Sequence, residues 1–184
     1  MPTTFTNQAT LSYNNQSIPS NVVTGVLTEV LSVSKTAIPA AYQNGDTITY
    51  AVQLVNSGTA ALTGLTLTDN LGAYTPAAGT AAVVPMTYQS DTLRYYRNGI
   101  LQATPTVAAT SPLTVTGLSI PAGGNTTLMY AVKTNQFTPY GAEESVTNTA
   151  TVTGGGLAAP LTAEATVNAD PAPDLSVIKS MCPT

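Results

Sequence analysis

Apolar and polar residues alternate with a period of two along most of this chain. Phe5, Asn7, Ala9, Leu11 and Tyr13 share one face of the first stretch, with threonine, glutamine and serine opposite. That spacing predicts a half-buried strand over residues 5–13. Asn14-Asn15-Gln16-Ser17 then predicts a turn, and a second strand from about Val22 to Leu27 completes a hairpin. Val30, Leu31 and Val33 lead a strand through Lys35 that Pro39 interrupts, since proline brings no amide hydrogen to a ladder. The Asn44-Gly45-Asp46 turn opens an alternating strand over Thr47–Val55, and Asn56-Ser57-Gly58 turns the chain back. Leu62–Leu71 alternates again, with Leu65, Leu67, Asp69 and Leu71 in phase.

Residues 72–85 are rich in Ala, Gly and Pro and predict a loop. Asn98-Gly99, inside residues 92–102, predicts a tight hairpin. A short strand over Leu113–Leu118 precedes a turn at Pro121-Ala122-Gly123-Gly124, then a strand over Thr126–Thr134 with Leu128, Tyr130 and Val132 on one face. Ser145–Thr153 and Leu161–Val167, joined by Gly154-Gly155-Gly156, form a closing hairpin. Asp170-Pro171-Ala172-Pro173 reads as a stiff linker before a last strand, Leu175–Lys179. No segment carries a sustained helical period. The expectation is an all-β, immunoglobulin-like β-sandwich with an N-terminal β-hairpin extension and a C-terminal extension strand.

The ends repeat the middle. Leu31-Ser32-Val33-Ser34-Lys35 returns as Leu175-Ser176-Val177-Ile178-Lys179, and Phe5-Thr6-Asn7-Gln8-Ala9-Thr10-Leu11 resembles Val146-Thr147-Asn148-Thr149-Ala150-Thr151-Val152. The chain thus divides into residues 1–28, the tail of a preceding unit; 29–169, one whole unit; and 170–184, linker and head of a following unit. Unpaired strand edges recruit other strands. If repeats run head to tail, the two fragments project from opposite poles and meet only between molecules. Leu175, Val177 and Lys179 of one copy then contact Phe5, Asn7, Ala9 and Leu11 of the next by strand addition. A head-to-tail contact that does not close on itself grows into a filament.

Composition narrows the function. With 8% charged and 43% hydrophobic residues the chain is no solvated disordered tail. Five Lys+Arg against nine Asp+Glu leave a net charge of −4, so no nucleic-acid partner is expected. No apolar run approaches the roughly 18 residues of a span, so no membrane insertion is expected. Without histidine and with one cysteine, Ser-His and Cys-His catalysis and a zinc site are excluded. Asp46, Asp69, Asp91, Glu143 and Glu144 are too scattered to predict calcium. Neither an enzyme activity nor a cofactor is expected. Cys182 reads as a free thiol in a terminal strand or, alternatively, as one half of a disulfide between molecules. Arg94-Tyr95-Tyr96-Arg97 reads either as a ligand patch or as the decoration of an exposed hairpin. Met1-Pro2-Thr3-Thr4 shows no basic or apolar leader pattern, so no signal peptide is visible.

Five blocks carry a family resemblance: residues 31–36; Asn44-Gly45-Asp46-Thr47-Ile48-Thr49-Tyr50; Asn56-Ser57-Gly58-Thr59; Leu67-Thr68-Asp69-Asn70-Leu71; and Asn148-Thr149-Ala150-Thr151-Val152. In this order, over about residues 31–168, they resemble the DUF11 family of surface-protein repeats. The resemblance implies an immunoglobulin-like sandwich on a bacterial or archaeal surface and no activity on a substrate. This chain departs from the family in holding one repeat with two partial ones, not an array.

Strand phase adds a chemical clue. Lys35 shares a face with Leu31 and Val33, Asp69 with Leu65 and Leu67, Asn148 with Val146 and Ala150. A lysine in a first strand, an asparagine in a last strand and an acid between them resemble pilin-type domains that form an isopeptide bond spontaneously. The resemblance implies a neutral lysine attacking the asparagine amide, with the acid shuttling the proton. The plainer alternative has Lys35 reaching past the sandwich end to solvent, Asp69 satisfying turn amides and Asn148 bonding backbone. The functional expectation is a structural subunit of a self-assembling extracellular filament, a pilus-like fibre or an appendage of a cell or spore surface, with the chain itself as partner. The alternative is a spacer repeat of a modular adhesin or surface-layer protein.

Overall fold

The computed structural model describes residues 3–27, 30–77, 79–141 and 143–170. Among these, every regular element is a strand. The first four are β1 (Thr3–Asn7), β2 (Thr10–Tyr13), β3 (Gln16–Pro19) and β4 (Val23–Leu27). They are followed by β5 (Leu31–Ile38), β6 (Ala41–Tyr42), β7 (Thr47–Asn56), β8 (Leu62–Asp69), β9 (Met86–Tyr88), β10 (Arg94–Arg97) and β11 (Ile100–Leu101). The last are β12 (Thr106–Thr110), β13 (Leu113–Ile120), β14 (Asn125–Thr134), β15 (Ser145–Gly154) and β16 (Leu161–Ala169).

β5 to β16 make a two-sheet sandwich. One sheet runs β11-β10-β14-β7-β5, with β9 beside β10 on the same edge of β14; the other runs β12-β13-β8-β15-β16-β6. The two sheets bury alternate residues against each other: Ile48, Tyr50, Val52 and Leu54 of β7 and Leu128, Tyr130 and Val132 of β14 face Leu65 and Leu67 of β8 and Val146, Ala150 and Val152 of β15. Burying each large apolar side chain stabilises by roughly 1.5–3 kcal/mol, which fixes the register of every strand it sits on. The strand Leu175–Lys179, and with it Leu175, Val177, Lys179 and Cys182, lies outside the described residues.

Two sandwich strands differ from their expected course. β13 continues past Leu118 to Ile120, because a bulge changes its phase: Val115 pairs with Leu67 but Leu118 with Leu65, three steps against two. The extra residue lets Leu113, Val115, Leu118 and Ile120 all point inward, which strict alternation forbids. β8 stops at Asp69 rather than Leu71, and Leu71 is buried from a turn, at φ +54°. The Asp69 and Asn70 side chains accept the Leu71 and Gly72 amides and take over from the ladder.

The N-terminal segment is a ribbon that pairs with neither sandwich sheet. β1 pairs with β4, and β2 with β3 around a two-residue turn at Asn14-Asn15, whose φ values of 48° and 60° suit a tight hairpin. The single strand expected over residues 5–13 is two, broken at Gln8-Ala9. Opposite the break the Ser20 N–H donates to the Ala9 carbonyl (2.7 Å), while the Ser20 hydroxyl accepts the Ala9 N–H (3.0 Å) and the Ser20 carbonyl accepts from Gln8 Nε2 (2.8 Å). Nor is the ribbon half-buried: Phe5 is 60%, Leu11 69% and Tyr13 76% exposed. Its apolar face exists, but no described residue covers it. Phe5 instead lies across Gly25, its cross-strand partner, so closely that a Cβ there would fall 2.4 Å from the ring.

Candidate functional site

Three strands deliver the lysine, the acid and the asparagine to one place. The alternation of β5 turns Leu31 and Lys35 inward. On the facing sheet Asp69 pairs with Ala150, two residues from Asn148 on β15, so Asp69 and Asn148 are diagonal neighbours on one face. Lys35 enters from the opposite sheet. Its Nζ lies 2.5 Å from Asp69 Oδ2, and both side chains are wholly withdrawn from solvent. The alternative in which Lys35 reaches solvent is thereby overturned.

The Asp69–Gly72 turn organises the rest. Consecutive amides serve the two side chains: Leu71 N–H donates to Asp69 Oδ1 (2.9 Å), and Gly72 N–H donates to Asn148 Oδ1 (3.2 Å). Asp69 and Asn148 do therefore bond turn backbone, while holding their other polar atoms toward the site. The Tyr130 hydroxyl donates to the same Asp69 oxygen that Lys35 uses. The Tyr50 ring lies under the ammonium, 4.6 Å from Nζ, and its hydroxyl donates to Met86 Sδ at 3.5 Å. Asn148 Nδ2 is the exception. Buried beside the Tyr50 hydroxyl and close enough to act on its ionisation, it still meets no acceptor in hydrogen-bonding geometry.

Burial governs the protonation states. Loss of hydration, partly offset by the Asp69 carboxylate, pushes Lys35 down from 10.5 to about 8. Burial first, then the charge of Asp69, holds the Tyr130 hydroxyl well above its ordinary value of 10, and burial raises Tyr50 as well. An amine brought near neutrality, a carboxylate in contact with it and a carboxamide on the adjoining strand are the parts an amide exchange requires.

Sequence reasoning missed Tyr50 and Tyr130 as members of this site. Their signal was present: each sits on an inward face, between Ile48 and Val52 or between Leu128 and Val132, and a buried phenol needs a partner. Elsewhere, Arg94-Tyr95-Tyr96-Arg97 is no simple exposed decoration. Tyr95 is buried and its hydroxyl donates to the Ser119 carbonyl (2.8 Å), while Arg97 donates to Gln102 Oε1. Phe5, Asn7, Ala9 and Leu11 lie exposed on the ribbon, Phe5 and Asn7 on β1, Leu11 on β2 and Ala9 at the break between them, all outside the two sheets that hold Lys35, Asp69 and Asn148.

No protein-family model matches this sequence, and no curated protein matches it. Solved structures do resemble the fold. The N-terminal domain of the Streptococcus gordonii adhesin Sgo0707 superposes with a TM-score of 0.56 at 14% identity, over 80% of this chain and 35% of that one. The major pilin subunit BcpA of Bacillus cereus gives 0.52 at 14% identity, over 90% and 48%. The pilus backbone RrgB of Streptococcus pneumoniae gives 0.52 at 11% identity, over 67% and 31%. This chain spans less than half the length of each. At such identities the likeness shows a shared β-sandwich fold. No helix of the described residues is long and apolar enough to cross a membrane.

Proposed function

We propose that this chain is a DUF11-type structural subunit of an extracellular filament on a cell or spore surface, that its sandwich is locked by a Lys35–Asn148 isopeptide bond, and that copies join head to tail. One relationship carries the assembly reading. Within the sandwich β5 lies against β16 although the two belong to different sheets. Residues 175–179 copy the β5 sequence, and the ribbon opens with a copy of the β15 sequence. The strand 175–179 of one molecule then repeats, against the ribbon of the next, the contact that β5 makes with the closing hairpin. β5 and β16 themselves share no ladder; in the join the added strand also pairs edge to edge with the ribbon through backbone hydrogen bonds, and the exposed Phe5 and Leu11 gain the cover they lack. The ribbon contains no Asp or Glu in residues 3–27, so Lys179 and Asn7 would meet without an acid there to move the proton.

For the internal bond, Lys35 passes a proton to the Asp69 carboxylate. The free amine attacks Asn148 Cγ, the Nζ–Cγ bond forms, and Cγ–Nδ2 breaks as the departing nitrogen is protonated through Asp69. The net change turns the lysine ammonium and the carboxamide into a secondary amide and ammonium, so atoms and charge balance. The pilin and adhesin likeness of the fold agrees with a load-bearing surface role.

Electron microscopy of the purified protein tests the assembly. Fibres that vanish on deletion of residues 174–184 support it; a stable monomer supports the spacer-repeat reading instead. Intact mass tests the bond: a deficit of one ammonia, restored by Lys35→Ala, supports it, and an unmodified mass removes it.

A further inference from the structure

Asn148 is held in an asymmetric way. Its oxygen accepts the buried Gly72 N–H, and that donor fixes which end of the carboxamide is oxygen. Its nitrogen, alone among the buried side-chain nitrogens and oxygens of the described residues, meets no acceptor in good hydrogen-bonding geometry, its nearest candidate being the Tyr50 hydroxyl. An unmatched buried polar group is costly and calls for an explanation. Departure of that nitrogen as ammonia would remove the mismatch and leave the oxygen where it is.

The donor is itself built in. Gly72 follows directly on Leu71, whose N–H holds Asp69, so one turn positions the acid and the acyl oxygen together. Its φ is +72°, and a Cβ there would fall 2.4 Å from Val146 Cγ1 and 2.8 Å from Met86 Cε. The N–H is therefore locked in direction before any reaction occurs. It is shared with Asn70 Oδ1 at 2.9 Å, a neutral acceptor that loses ground as negative charge grows on the other side.

We infer that the Gly72 main-chain N–H is the oxyanion donor of the Lys35–Asn148 exchange, already in place on Asn148 Oδ1 before the amine attacks. The inference rests on the isopeptide reading above. As Lys35 Nζ bonds to Cγ, the carbonyl electrons move to Oδ1 and the Gly72 N–H stabilises them. When Cγ–Nδ2 breaks they return, and the new amide keeps the same oxygen on the same donor. A preorganised donor in a site withdrawn from solvent costs nothing to reorient at the moment of reaction.

Cell-free synthesis of the full chain, followed by intact mass over time, measures the rate. Glycolic acid in place of Gly72 turns the amide into an ester, which removes the N–H from both Asn148 Oδ1 and Asn70 Oδ1 and weakens the Leu71 carbonyl as an acceptor without adding a side chain. The expected result is bond formation slowed roughly 100- to 1,000-fold in a folded product; an unchanged rate overturns the inference. If the ester chain does not fold, scalar coupling across the hydrogen bond in the unaltered, isotope-labelled protein decides. Coupling from Gly72 nitrogen to Asn148 Cγ supports the assignment, and coupling to Asn70 Cγ alone overturns it. A wild-type chain that never loses ammonia sinks the isopeptide reading itself, a result the coupling measurement keeps separate from the hydrogen-bond assignment.

Discussion

Lys35 Nζ and Asp69 Oδ2 stand 2.5 Å apart with neither side chain exposed. They come from opposite sheets, so the pair crosses the core instead of decorating it. Removing one partner of a buried pair strands the other charge without water, at a cost of about 3–5 kcal/mol. In an Asn148→Ala background, where no covalent bond forms, Lys35→Met is expected to lower the unfolding free energy by about that much. Chemical denaturation checks it, and a change below about 1 kcal/mol would mean that the pair is solvated.

The same background has a pH signature. Lys35 titrates near pH 8 when folded and near 10.5 when unfolded, so between those values the unfolded chain holds more protons. Stability must then rise with pH from about 8 toward 10.5, by at most about 3 kcal/mol. Below pH 8 this group contributes no slope. Tyr50 and Tyr130 act in the opposite sense: burial keeps them protonated when folded, so stability falls once unfolded tyrosines ionise near pH 10. Denaturant midpoints across pH 7–11 should pass through a maximum near 10; a monotonic fall from pH 7 contradicts the buried amine.

Gly72 and Gly99 separate steric from conformational cost. Both have positive φ, +72° and +77°, but only Gly72 is hemmed in, whereas a Cβ at Gly99 meets nothing within 4 Å. Gly99→Ala should cost about 1–2 kcal/mol from backbone conformation alone. Gly72→Ala should cost about 2–5 kcal/mol, because overpacking against Val146 and Met86 adds to it. Thermal melts of the two variants give the comparison, and equal losses would refute the packing argument.

Assembly and folding should come apart on the ribbon. Leu11 and Ile18 are cross-strand partners, 69% and 62% exposed. Leu11→Lys with Ile18→Lys places like charges on the face proposed to receive residues 175–179 of the next copy. The sandwich's unfolding free energy should shift by no more than about 0.5 kcal/mol, while fibres disappear from micrographs. Fibres of normal length would remove the ribbon from the join.

Most strands were legible because their two-residue period is a local property. Thr47–Val55, Thr126–Thr134 and the closing hairpin follow it within a residue or two of their ends. Met86–Tyr88 and Thr106–Thr110 went unseen: a few residues next to Ala- and Pro-rich sequence carry too little alternation, and their pairing to β14 and β13 is set by those strands. The bulge in β13 was equally hidden, since a phase change has meaning only against a neighbouring strand.

The sequence by itself determined that Lys35, Asp69 and Asn148 occupy inward faces, since side-chain direction along a strand follows from backbone geometry alone. Only the tertiary structure decided that the three share one site. That depends on how two sheets face each other and on a turn whose successive amides hold the acid and the carboxamide. It also decided that the ribbon's apolar side stays open, because burial belongs to whatever packs against a surface and not to the residues that form it.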